Sequence, residues 1–95
     1  MALRRHTQDD PGVRLLVENG WTVSDATRVA TLASYQSYIA DSWAEIGIAK
    51  NAYVKARSGW FSDRAAHYLA TGKPVLLQST GFERCLPTGR GVLSF

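Results

Sequence analysis

The tightest constraint on how this chain can fold lies between Ser62 and Leu77. There a helix-capping serine, an alanine-rich helical segment, a Gly72-Lys73-Pro74 stop and the apolar run Val75-Leu76-Leu77 follow one another without a break. A helix capped at its start, halted by Gly and Pro and followed at once by a β-prone run reads as the second half of a βαβ unit. Just upstream, Ser58-Gly59-Trp60-Phe61-Ser62-Asp63-Arg64 supplies a glycine turn into the helix start. In α/β proteins that order brings helical N–H groups and the positive dipole end to a phosphate-bearing ligand.

The remaining segments extend the same alternation. Pro11 with Val13, Leu15, Leu16 and Val17, stopped by Asn19-Gly20, predicts a short helix. Trp21-Thr22-Val23 is a short β-prone run, and Ser24 or Asp25 can then cap a longer helix whose inner face is Val29, Leu32, Ala33, Gln36 and Ile39. Glu45 to Ala49 predicts a buried strand, although Gly47 weakens it. From Lys50 to Gly59 the signals are mixed and assign no element. The helix after Ser62 runs to Ala70 with Ala65, Ala66, Leu69 and Ala70 inward, Val75 to Leu77 is the clearest strand, Thr80-Gly81 opens a polar loop, and Val92-Leu93 is a final short strand. Short strands alternating with about three helices predict an α/β fold with a mostly parallel sheet, a partial Rossmann-like domain. Parallel sheets are covered on both faces, which so few helices barely achieve, so a homodimer is the simplest way to complete the layer.

Ninety-five residues suit a single domain, whose first residues, 1–10, read as a frayed terminus. One cysteine, Cys85, excludes an internal disulfide framework and a cysteine-based zinc site, and fits a reducing, cytoplasmic setting; it reads as a small packing residue. No apolar run approaches the roughly 20 residues of a membrane span. Charge is unevenly spread: residues 1–49 carry four Arg against six acids, net −2, and residues 50–95 carry seven Lys or Arg against Asp63 and Glu83, net +5. The basic half suits an anionic ligand; no nucleic-acid module or basic strand with interleaved aromatics accompanies it.

Tyr38-Ile39 with Ser42, Glu45, Ala49-Lys50-Asn51-Ala52-Tyr53-Val54, Ser58 to Arg64, Tyr68-Leu69-Ala70-Thr71-Gly72-Lys73-Pro74-Val75, Thr80-Gly81-Phe82 and Leu86-Pro87-Thr88-Gly89 form an ordered series within a match over roughly residues 15–95. The series resembles the C-terminal part of bacterial CgeB-like, spore-maturation glycosyltransferases. That resemblance implies a GT-B architecture, in which two Rossmann-like domains face one another and the C-terminal one holds a nucleotide-sugar donor. This chain would be most of that second domain, a truncated unit able to transfer sugar only if an acceptor domain is supplied elsewhere, as by a separate chain. It further implies that the loop from Gly59 to Arg64 lies against the donor diphosphate, that Thr80-Gly81-Phe82 closes the site, and that no metal takes part. The two positions that are acidic in many related GT-B families fall on His67 and Gly59.

The chemistry of such a transfer names the candidates. As the glycosidic bond to a nucleoside diphosphate breaks, negative charge grows on the leaving phosphate, and fixed N–H donors with an Arg or Lys stabilise it. Arg64 is the first candidate for that cation; Ser62 can bind a phosphate oxygen and Asp63 can accept from a ribose hydroxyl. Gly59, Thr80 and Gly81 provide backbone close to the ligand, and Lys50, at the carboxyl end of a strand, is a further contact. No catalytic base is assigned. Plainer readings are that Arg64 is a solvated cation or pairs with Asp63 or Glu83, that Asp63 only suits the helix dipole, that Ser62 is only a cap, that Trp60 and Phe61 pack, and that His6 and His67 do no chemistry. Three functions are open to such a chain: donor binding for sugar transfer, a catalytically inactive protein-interaction module that keeps the fold, or nucleic-acid binding through the +5 half.

Overall fold

The computed structural model describes residues 2–3 and 10–95. Most of the expected frayed terminus, His6 included, lies outside the described residues. The chain divides into two compact units, Met1–Tyr38 and Ile39–Phe95.

In the first unit, β1 (Ala2–Leu3) pairs in parallel with β2 (Ser24–Asp25). Helix α1 (Pro11–Glu18) begins where the Asp10 carboxylate accepts the Gly12 N–H at 2.7 Å. It ends with Gly20 N–H on Val17 O and Trp21 N–H on Leu16 O, both 3.0 Å. This paired closure draws Trp21 into the helix end. The strand therefore forms at Ser24–Asp25 and not at the β-prone Trp21-Thr22-Val23.

Asp25 does act as a cap, accepting the Thr27 N–H at 2.9 Å, but only a 3-10 turn over Ala26–Val29 results. Thr31 and Ser34 then exchange bonds, Ser34 N–H to Thr31 Oγ1 and Thr31 N–H to Ser34 Oγ at 3.1 Å each, and start a separate helix, α2 (Leu32–Asp41). The single long helix expected here is thus two pieces. Of its proposed inner face only Ile39 is buried; Leu32, in the first turn of α2, is 73% exposed.

The second unit is built on a parallel three-stranded sheet, β3 (Glu45–Gly47), β4 (Val75–Leu77) and β5 (Val92–Ser94), in the order β3-β4-β5. Two helices connect β3 to β4: α3 (Asn51–Ala56) and α4 (Asp63–Ala70), the latter packed against both strands. The α/β class and the parallel sheet agree with the sequence reading, with four α-helices among the described residues in place of about three. β3 stops at Gly47, two residues short of the expected Ala49.

Alternation along the strands sets the two faces. Glu45, Gly47, Val75, Leu77 and Val92 point inward and are buried, while Ile46, Leu76 and Leu93 sit in one cross-strand row on the outer face, between 36% and 45% exposed. Gly47 leaves room on the inner face: a Cβ there would meet Leu77 Cδ2 at 2.6 Å. Of the expected inner face of α4, Ala65 is buried, Leu69 is half-buried, and Ala66 and Ala70 are exposed; Tyr68, which was not expected there, is buried beside Ala65. Tyr68, one turn after Ala65, lies on the sheet side.

The stop after α4 follows its sequence signal closely. Gly72, at φ +76°, donates to Leu69 O at 2.9 Å and Lys73 N–H donates to Tyr68 O at 3.0 Å, so the helix ends and Pro74 enters the strand. The Lys73 ammonium donates to the carbonyls of Ile39, Ala40 and Ser42, around the C-terminus of α2, where a cation meets the negative end of the dipole. α3, which the sequence signals leave unassigned, starts without a capping side chain and ends on Arg57 at φ 46°, a left-handed position usually held by glycine.

Candidate functional site

Three connections leave the carboxyl ends of the strands or lead into α4: residues 48–50 after β3, 57–62 between α3 and α4, and 78–81 after β4. Hydrogen bonds join them. Gln78 Oε1 accepts the Ala49 N–H at 3.1 Å, which ties the two strand exits together. Gly59 N–H donates to Thr80 O at 2.9 Å, and Thr80 Oγ1 donates to Trp60 O at 2.6 Å. Thr80 has no exposed surface, so these bonds are shielded from competing water.

Gly81 turns the chain at φ +92° into a short 3-10 segment, Phe82–Arg84. From that segment Arg84 donates through Nη2 to Arg57 O at 2.9 Å and through Nε to Gly81 O at 3.3 Å. A Cβ at residue 81 would lie 3.1 Å from Arg57 O, so glycine is demanded by both conformation and space. Gly59, Thr80 and Gly81, chosen from sequence as candidates on two separate loops, are therefore brought together.

Ser62 is the N-cap of α4, its Oγ accepting the Arg64 N–H at 3.2 Å. Asp63 is exposed in the first turn, a position favourable to the helix dipole. Arg64 pairs through Nε with Oε1 of Glu45, a bond that joins α4 to the inner face of β3. Its partner is thus neither Asp63 nor Glu83. The Glu45 side chain is only 4% exposed and that of Arg64 is 53% exposed, so a buried carboxylate holds a half-exposed arginine side chain. Among the described residues nothing engages the two Nη groups of Arg64. Glu45 Oε2 is buried with no hydrogen-bond partner.

Lys50 is exposed at the N-cap of α3, and the neighbouring Ala49 N–H bonds Gln78 in the connection after β4. Trp60 stacks on Tyr53 at 5.2 Å between ring centroids, inclined 18°, and Phe61 meets Phe82 edge-on at 5.5 Å. Trp60 nevertheless keeps 39% of its surface exposed. Cys85, expected to pack, is exposed, because the 3-10 segment buries Phe82 and carries the chain outward. Glu83 has its carboxyl pKa lowered from the ordinary 4.5, chiefly by a hydrogen bond from the Ser79 side chain, then by its own backbone N–H. Glu45 is the residue that sequence reasoning missed as a site member. Its only signal was a charged residue at the head of an otherwise apolar strand.

No family model, curated protein sequence or solved structure matches the chain. Among the described residues no helix is long and apolar enough to cross a membrane.

Proposed function

We propose that this chain binds the diphosphate of a nucleotide-sugar donor, as the donor-side domain of a GT-B-type glycosyltransferase acting in the cytoplasm. Sugar transfer then requires a facing acceptor domain supplied elsewhere. One observation carries the reading: the Arg64 guanidinium, in the first turn of α4, is held at Nε, its Nη groups are unengaged among the described residues, and its side chain is half exposed. A planar fork of that kind suits two phosphate oxygens, and a cation there offsets the charge that develops as the sugar departs. The net +5 of residues 50–95 draws an anion to this part of the chain.

Contacts divide accordingly. Arg64 takes the diphosphate, Asp63 the ribose, and the Gly59 to Ser62 and Thr80-Gly81 segments form the surrounding wall, with Lys50 as a further cation. Ser62 contributes by fixing the helix start, since its oxygen is engaged by the Arg64 N–H. The test is titration of UDP, GDP, ADP and TDP into isotopically labelled protein, followed by backbone amide shifts. Saturable changes centred on Gly59 to Arg64 and Thr80 to Phe82, weakened more than tenfold by Arg64→Ala, support donor binding. Absence of shifts from a folded sample refutes it.

A second reading, a catalytically inactive protein-interaction module, is favoured by the outer row of Ile46, Leu76 and Leu93. Pairing of that face with a second copy would cover it as parallel sheets ordinarily are. Sedimentation of the chain across a concentration series distinguishes a homodimer from a monomer.

A further inference from the structure

We infer that Glu45 is a positioning residue for the Arg64 guanidinium, acting through it on a bound oxyanion; the inference rests on the diphosphate-binding reading above. An arginine tied to a carboxylate for stability alone favours a two-pronged pair that satisfies both carboxylate oxygens. Here only Nε and Oε1 meet. Oε2 is buried without a partner, and both Nη groups stay unengaged among the described residues. The arrangement therefore grips the guanidinium at its base and leaves its outer edge presented.

Three features keep that grip in place. Glu45 is on the inner face of β3 and only 6% exposed, so its carboxylate cannot swing into solvent. Gly47, two residues on and on the same face, has no side chain to obstruct it; Glu45 Oε1 lies 3.9 Å from where a Cβ would be. Ser62 fixes the backbone of Arg64 through its N–H. With backbone and Nε both held, the flexible stem of Arg64 has little freedom to lose when an oxyanion binds, which is the advantage of a preorganised site.

The chemistry discriminates between substitutions. Glu45→Gln keeps an acceptor for Nε and removes a negative charge that lies behind the guanidinium. Glu45→Leu removes the acceptor and fills the same buried space. Arg64→Lys keeps the charge but has no planar fork with one edge to anchor and another to present.

The experiment measures affinities for inorganic pyrophosphate and UDP at one fixed ionic strength, alongside the Arg64 Nε–H resonance. Glu45→Gln is expected to bind both within threefold of the wild type or more tightly, Glu45→Leu at least fivefold more weakly, and Arg64→Lys at least tenfold more weakly. In the wild type the Nε–H resonance is expected to stay in place as ligand is added. Amide spectra establish that each variant is folded, with Glu45→Met as the alternative should leucine disturb the strand. Wild-type affinity in a folded Glu45→Leu or Glu45→Met overturns the inference alone, as does ligand displacing the Nε bond in the wild type. Pyrophosphate binding without UDP binding overturns the nucleotide reading and spares the positioning role. Binding of neither by the wild type overturns both.

Discussion

Replacing Lys73 by Met removes a cation that three main-chain carbonyls share, while keeping most of the aliphatic stem. The ammonium donates to Ile39 O at 2.6 Å and to the carbonyls of Ala40 and Ser42, at the end of α2. Hydrogen bonds to a charged group contribute about 1.5–3 kcal/mol each, and a cation at a helix C-terminus about 0.3–1 kcal/mol. These do not add fully: Ala40 is exposed and its carbonyl can turn to water, whereas Ile39 is buried. A net loss of about 2–3 kcal/mol is expected, a large share of the stability of so small a fold. In thermal terms that is a fall in Tm of about 10–20 °C. The assay is urea unfolding with the slope held common between variants, so that a shift in midpoint reports stability. Lys73→Arg retains charge and donors and is expected to recover more than half the loss. A Lys73→Met protein within about 0.5 kcal/mol of the wild type would refute the reasoning, and would mean that solvent serves these carbonyls equally well.

Arg64→Ala is expected to destabilise by about 2 kcal/mol, because it leaves the buried Glu45 carboxylate unpaired, and Arg64→Met with Glu45→Leu to regain most of that in the same unfolding assay. Gly47→Ala forces a methyl to within 2.6 Å of the buried Leu77 side chain and is expected to cost about 1–2 kcal/mol; Leu77→Val in the same chain relieves it, measured by thermal melting. Glu83 has a folded pKa below its ordinary 4.5, so its contribution is present above 4.5 and is lost as pH falls through the lower folded value. Glu83→Gln should therefore flatten the stability profile in that acid window and leave its shape near neutrality unchanged.

Where the sequence was legible, the structural signals were local. Ser62, Gly72 and Pro74 bound α4 through bonds that span a few residues, so the helix and the following strand could be placed from the sequence. α3 was missed because its cap residue, Lys50, makes no side-chain cap bond and its left-handed stop is Arg57 rather than glycine. The break before α2 depends on an exchange of bonds between Thr31 and Ser34, which competes with helix continuation in a way that apolar spacing does not register. Tyr68 is buried on a face of α4 that alanine spacing alone does not mark. For the candidate site, each loop was recognisable by its glycine, but their union through Thr80 and the pairing of Glu45 with Arg64 are tertiary facts. No short window of sequence contains them.

Thr80, itself fully buried, places a single side chain and a single carbonyl across the gap between two loops, one bond in each direction. Hydrogen exchange at Gly59 is consequently a measure of how often the segments part, since its proton is released only when Thr80 O lets go. The two loops should open as one cooperative unit, and that unit sets how slowly the Gly59 amide proton exchanges.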